Sequence, residues 1–292
     1  MLTGSIIGDI KYQFRYGNMV VKLIFVNIAV FIFFGLLNLI GFLAQSNTVH
    51  DFLLNRLQIP ASLHTLLHQP WSVFTYMFLH TGLLHVLFNM LWLYWFGEIF
   101  VLYLGDKKVL PLYIIGGLGG AVVYLLCYNL LPVFKPAVEV SYMLGASASI
   151  FAIVFAAATL NPDHEISLIL IGPVKIKYIA FFSLLLDVIN IPYGNAGGYL
   201  AHAGGALTGY LFITGLRSGL DVSALFGRFL KLFKRKPAVK VGYKNTNANI
   251  EAPTRSKGEQ EKVDEILDKI SRSGYDSLNK EEKDILFNYS KK

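Results

Sequence analysis

The chain is short of cysteine, of charge and, within its charge, of acid. A single cysteine, Cys127, lies inside an apolar run, which excludes a disulfide framework and argues against a reactive thiol. Charged residues make up only 15% against 54% hydrophobic ones, too few to clothe a soluble globule of 292 residues. Several apolar runs approach or exceed the roughly 20 residues that cross a hydrocarbon core of about 30 Å. The chain therefore reads as a polytopic membrane protein. Acidic residues number 19 against 26 basic, a net charge of +7, yet the excess is not spread as a nucleic-acid surface would need. Sixteen of the basic residues follow Leu220, with 11 of the acidic ones. Such a segment directly after a span marks the cytoplasmic side and contact with anionic lipid.

Hydrophobic patterning predicts six spans, at about Met19–Leu43, Leu83–Tyr103, Val109–Leu131, Gly145–Leu160, Val174–Ile189 and Gly198–Leu216. The first is much longer than the apolar region of a signal peptide, so it reads as a retained helix. Residues 1–18 form an aromatic and basic lead-in (Lys11, Tyr12, Phe14, Arg15, Tyr16). Residues 45–80 mix leucines with His50, Asp51, Arg56, His64 and His68, as short interfacial helices do. Lys11, Arg15, Lys22, Lys107, Lys108, Lys175, Lys177 and the tail lie on one side of such a bundle, Arg56 and Lys135 on the other. The positive-inside rule then makes both termini cytoplasmic. The expected organisation is a membrane core over residues 1–220, a basic juxtamembrane segment and linker over 221–258, and a helical hairpin over 259–292. The basic cluster is Arg228, Lys231, Lys234, Arg235 and Lys236. In the hairpin, Val263, Ile266, Leu267 and Ile270 recur at helical spacing, and Ser277 is the expected cap of the second helix.

Chemistry centres on Gly145-Ala146-Ser147. A small-residue turn feeding a helix places Ser147 where backbone N–H groups lack intrahelical partners and favour a developing anion. A serine there is most often a simple N-cap. Two histidines inside spans point further, because an ionisable residue in a membrane is expensive and defaults to a functional reading. His202 lies early in the sixth span, whose Ala201, Gly205 and Gly209 form a small-residue stripe suited to close helix approach. His85 lies near the start of the second span with Asn89 one turn below. These residues converge in one layer on the outer side. His85 and Asn89 suit oxyanion donation beside the Ser147 N–H. A zinc site at His80, His85 and Asn89 fits poorly, since asparagine is a weak ligand and neither a cysteine nor a carboxylate joins them. Glu98 and Asp187 read as interfacial or paired structural residues.

With these motifs in place the chain resembles a rhomboid intramembrane serine protease of bacterial type. The family's two histidines and asparagine are met by His80, His85 and Asn89. Its Gly-x-Ser is met by Gly145 and Ser147, and its Ala-His-x-x-Gly-x-x-x-Gly by Ala201, His202, Gly205 and Gly209. The resemblance implies an all-α bundle of six membrane helices and an endopeptidase that cuts membrane-anchored proteins, with no cofactor or metal. It also implies a Ser147–His202 dyad lacking the third carboxylate of soluble triads, with an oxyanion hole from His85, Asn89 and the Ser147 backbone. Phe151 would pack on the catalytic ring. Two departures stand out. The glycine after the nucleophile is Ala148, expected to narrow the site, and the arginine after Trp71 is Ser72, expected to loosen the first loop. They give weight to an alternative, a weakly active or inactive relative that binds or escorts membrane clients. Single-pass membrane proteins and lipids are the expected partners, not nucleic acid, and a bacterial cytoplasmic membrane is the expected location.

Overall fold

The computed structural model describes residues 5–168, 171–224, 226 and 257–290. The basic cluster from Arg228 to Lys236 and nearly all of the 237–258 linker lie outside the described residues. The chain divides into two compact units, Met1–Arg235 and Lys236–Lys292.

The first unit opens with α1 (Ile6–Tyr16) and α2 (Met19–Leu43). Asn18 caps α2 by accepting the Val21 N–H at 3.0 Å, while its Nδ2 donates to Glu98 at 2.7 Å. Glu98 is thus a paired structural carboxylate. The long first connection folds into α3 (Thr48–Leu57), strand β1 (Ile59–Pro60), α4 (Leu63–His68) and α5 (Ser72–Thr75). Then come α6 (Leu83–Leu104) and α7 (Val109–Leu130), followed by β2 (Tyr142–Met143) and α8 (Ser147–Leu160). A β3–β4 hairpin (Glu165–Leu168 with Gly172–Lys175) leads to α9 (Ile176–Asn190) and α10 (Ala196–Arg217). The two short ladders were not expected from hydrophobic patterning. Lys108 binds Asp221 at 2.5 Å, tying the start of α7 to the chain beyond α10 and drawing the Asp221 carboxyl down to about 2.

Among the described residues of this unit, four segments are long and apolar enough to cross a membrane: Met19–Leu43, Leu83–Leu104, Asp106–Leu130 and Ile176–Tyr193. The other two expected spans are helices of a different kind. α10 has 22 residues but is diluted by glycine, threonine and histidine. α8 has 14 residues, about 21 Å at 1.5 Å each. It starts two residues later than the expected Gly145, because Gly145 has φ +124° and Ala146 takes the N-cap position. Ten of its residues are buried, so α8 is the interior post against which α6, α7, α9 and α10 pack.

The second unit pairs α11 (Lys257–Ser273) with α12 (Lys280–Ser290) through buried Val263, Ile266 and Leu278 and a Lys269–Glu282 ion pair at 2.8 Å. Its cap differs from expectation. Asn279 Oδ1 accepts the Glu282 N–H and Glu282 returns a bond to the Asn279 N–H, both at 2.8 Å. This reciprocal capping box displaces Ser277, which belongs to the preceding 3-10 turn.

Candidate active site

The approach to Ser147 is held on three sides. β2 pairs antiparallel with β1, aligning Ile59 with Met143 and Pro60 with Tyr142, and Ala61 N–H adds a bond to Ser141 at 2.9 Å. Gly145 N–H then bonds the Tyr76 carbonyl at 2.9 Å. The Ala146 N–H points to His80 Nε2 at 3.5 Å. His80 is 4% exposed, and burial, with His85 adding to it, pushes its pKa down to about 4. A neutral ring can accept that bond, which places His80 behind the turn. Gly145 is the one residue here whose type the backbone dictates. Its φ lies in the region that favours glycine, and a Cβ would sit 3.1 Å from His85 Cε1. Ser147 is the first helical residue, one place past the N-cap.

His202 is brought to the same place by backbone contact between α8 and α10. A Cβ on Gly205 would lie 2.0 Å from the Ala148 carbonyl oxygen, and one on Gly209 would lie 2.1 Å from that of Ala152. Nothing larger than hydrogen fits at either position. This close crossing lets Phe151 stack on His202, centroids 4.3 Å apart and planes within 14°. Trp92 lies parallel to Phe151 at 6.1 Å on the same layer.

Ser147, His202, His85, Asn89 and Phe151 all line one cavity of about 760 Å³, with Tyr142, Met143 and Leu144 along one wall. His80, Ala201, Gly205 and Gly209 support it from behind. Among the described residues no hydrogen bond joins Ser147 Oγ to His202, a contact that in resting sites often tightens only with substrate. Asn89 uses one N–H on the His85 carbonyl at 2.9 Å, leaving its second for the cavity.

Three expectations are corrected. The site does not lack a carboxylate: Asp187, expected as an interfacial or paired structural residue, is paired, and its Oδ2 lies 2.7 Å from His202 Nδ1, with the two side chains 14% and 12% exposed. The ring therefore has a carboxylate partner that a two-residue site would lack. The signal was available, since a lone carboxylate in an apolar helix demands a partner and α9 and α10 are joined by a short turn. Ala148 does not narrow the cavity. It is absent from the cavity wall, and its methyl abuts Gly120 of α7, where a Cβ would come within 2.5 Å. Nor is the first loop left loose by Ser72, which is fully buried. Trp71 Nε1 bonds the Arg56 carbonyl at 2.8 Å, Thr75 Oγ1 that of Leu57 at 2.6 Å, and Gln69 those of Asn55 and Gln58.

Comparison with known proteins gives this arrangement a family. Residues 254–292, the hairpin, match a family of unknown function. RHOMBOID-like protein 12, mitochondrial, of Arabidopsis thaliana is 27% identical over 69% of this chain and 59% of its own length. Rhomboid-like protein 17, chloroplastic, of the same plant is 28% identical over 50% of this chain and 46% of its own. Presenilin-associated rhomboid-like protein A, mitochondrial, of Danio rerio is 28% identical over 58% and 41%. The chain thus spans about half the length of the curated relatives it matches. The Rhomboid domain model matches residues 67–219, from the first loop to the end of α10 and through every residue of the cavity, and on that match the chain belongs to the rhomboid family.

Proposed function

We propose that this protein is an intramembrane serine endopeptidase that cuts single-pass membrane proteins within or near their spans. One observation carries the reading: a serine at a helix start and a stacked, carboxylate-bonded histidine, drawn from two different helices, line a single cavity. His202 Nε2 takes the Ser147 proton as the Oγ attacks the scissile carbonyl, and a tetrahedral oxyanion forms. The Ser147 N–H, the second Asn89 N–H and His85 stabilise that anion from the positive end of α8. Collapse expels the amine, protonated by His202, and leaves an acyl-enzyme. Water, activated by the same imidazole, then releases the acid. A scissile helix has its carbonyls already bonded, so substrates unwind at the cut, and helix-weakening residues there are favoured.

The charge pattern supports termini on the cytoplasmic face of an energised membrane, the basic tail meeting anionic lipid. A bacterial cytoplasmic membrane is our assignment on that pattern; the relatives named above carry mitochondrial and chloroplastic names.

The test is cleavage of a model transmembrane substrate by purified protein, alongside labelling by a fluorophosphonate. Ser147→Ala should abolish both and His202→Ala should lower both by 100-fold or more, on the order seen for dissected catalytic serines. Cleavage that survives Ser147→Ala ends the proposal. Binding of the substrate with neither cleavage nor labelling would favour a client-binding role.

A further inference from the structure

We infer that Asp187 is a positioning residue for His202, so that the reacting unit of this protein has three members, Ser147, His202 and Asp187. The inference deepens the serine endopeptidase reading and rests on it. It begins with what the Phe151 stack can and cannot do. Near-parallel stacking at 4.3 Å fixes the plane of the imidazole but leaves the ring free to turn within that plane and to exchange its two nitrogens. It is also indifferent to which nitrogen carries the proton. The Asp187 bond removes both freedoms. A carboxylate oxygen at 2.7 Å from Nδ1 accepts a hydrogen bond from a proton held on Nδ1, which leaves Nε2 as the lone-pair nitrogen.

Burial strengthens the case. Both side chains are more than four-fifths covered, and Asp187 is the one carboxylate of its helix, between Leu186 and Val188. A carboxylate there is expensive unless it is used, and His202 is the only partner it has among the described residues. A purely structural tie between α9 and α10 would be served as well by a neutral amide. A carboxylate adds something an amide does not: it stabilises the imidazolium that forms when His202 holds the Ser147 proton. No bond is made or broken at Asp187. The proton passes from Ser147 Oγ to Nε2 and onward to the leaving amine, while the Nδ1 proton stays in place.

The experiment compares wild type, Asp187→Asn and Asp187→Glu in detergent or lipid for three readouts. These are kcat against KM on the model substrate, the fluorophosphonate labelling rate, and the 15N tautomer signature of His202, assigned by its loss in His202→Gln. The expected result for Asp187→Asn is a fall in kcat and labelling rate of about 100-fold or more with KM within threefold. The His202 signal should leave the Nδ1–H form, and Asp187→Glu should recover part of the rate. An Asp187→Asn variant that keeps kcat within threefold, with Ser147→Ala dead, overturns the inference and leaves the protease reading standing. So does a rate loss matched by a lowered unfolding temperature, with the tautomer unchanged. A wild type inert to substrate and probe overturns the protease reading instead, and the tautomer comparison still decides whether Asp187 orders the ring.

Discussion

At the scale of single residues, a side chain's meaning depends on what it faces, which spacing alone does not reveal. Ala148 is the clearest case. Its methyl fills the space opposite Gly120, so replacing it with glycine should leave cleavage near wild type. It should cost about 1–2 kcal/mol of stability, from helix propensity and a small void. Activity assays and detergent-dependent unfolding would check both. His80 gives a second prediction, in pH. Its folded-state pKa of about 4 lies below the ordinary 6.5, so the unfolded chain binds the extra proton first as pH falls. Stability from this site is therefore full above pH 6.5 and is lost as pH drops toward 4. The loss is about 2 kcal/mol by pH 5. Subtracting the curve of His80→Gln from that of wild type should isolate this slope. The motif residues Ser147, His202, His85 and Asn89 were legible because an ionisable or polar residue in an apolar helix is costly to keep without a use. Asp187 obeys the same logic. The isolated carboxylate signals that a partner exists, but that partner lies on the next helix, where the rotation of α10 about its axis decides contact and no sequence spacing encodes that rotation.

At the scale of elements, the crossing of α8 and α10 is the joint that sets the site. The stripe Ala201, Gly205, Gly209 was readable as a close-packing face, and the two backbones meet along it at two successive turns. Gly205→Val should force the helices apart, since a branched side chain has nowhere to go against the Ala148 carbonyl. We expect at least a 100-fold loss of cleavage, about 3 kcal/mol in activation terms, with an unfolding midpoint several degrees lower. Near-normal cleavage by Gly205→Val would mean that His202 does not depend on this crossing. The start of α8 and the cap of α12 were less legible. Both hinge on one or two residues at a helix end, where glycine geometry at Gly145 and the Asn279–Glu282 exchange outweigh hydrophobic periodicity.

At the scale of the whole molecule, the described walls of the cavity come from the first unit, through α6, β2, α8, α9 and α10. A chain ended after residue 235 should therefore insert and cleave a detergent-solubilised substrate within about threefold of full length, roughly the 0.7 kcal/mol that small peripheral changes make. Loss of activity in that truncation would tie the hairpin to the chemistry. The order of the membrane helices was evident from composition, because bilayer thickness imposes length directly. The unequal lengths carry a consequence of their own. α2 has 25 residues, about 38 Å, and the crossing segment on α9, Ile176–Tyr193, has 18, about 27 Å, and both turn apolar side chains such as Ile32, Leu36, Phe181 and Phe182 outward. A bilayer of uniform thickness matches both only if α2 tilts. Tilt of the tall helix, or lipid stretched beside it, takes up the difference, and the thinner flank runs along the helix that carries Asp187.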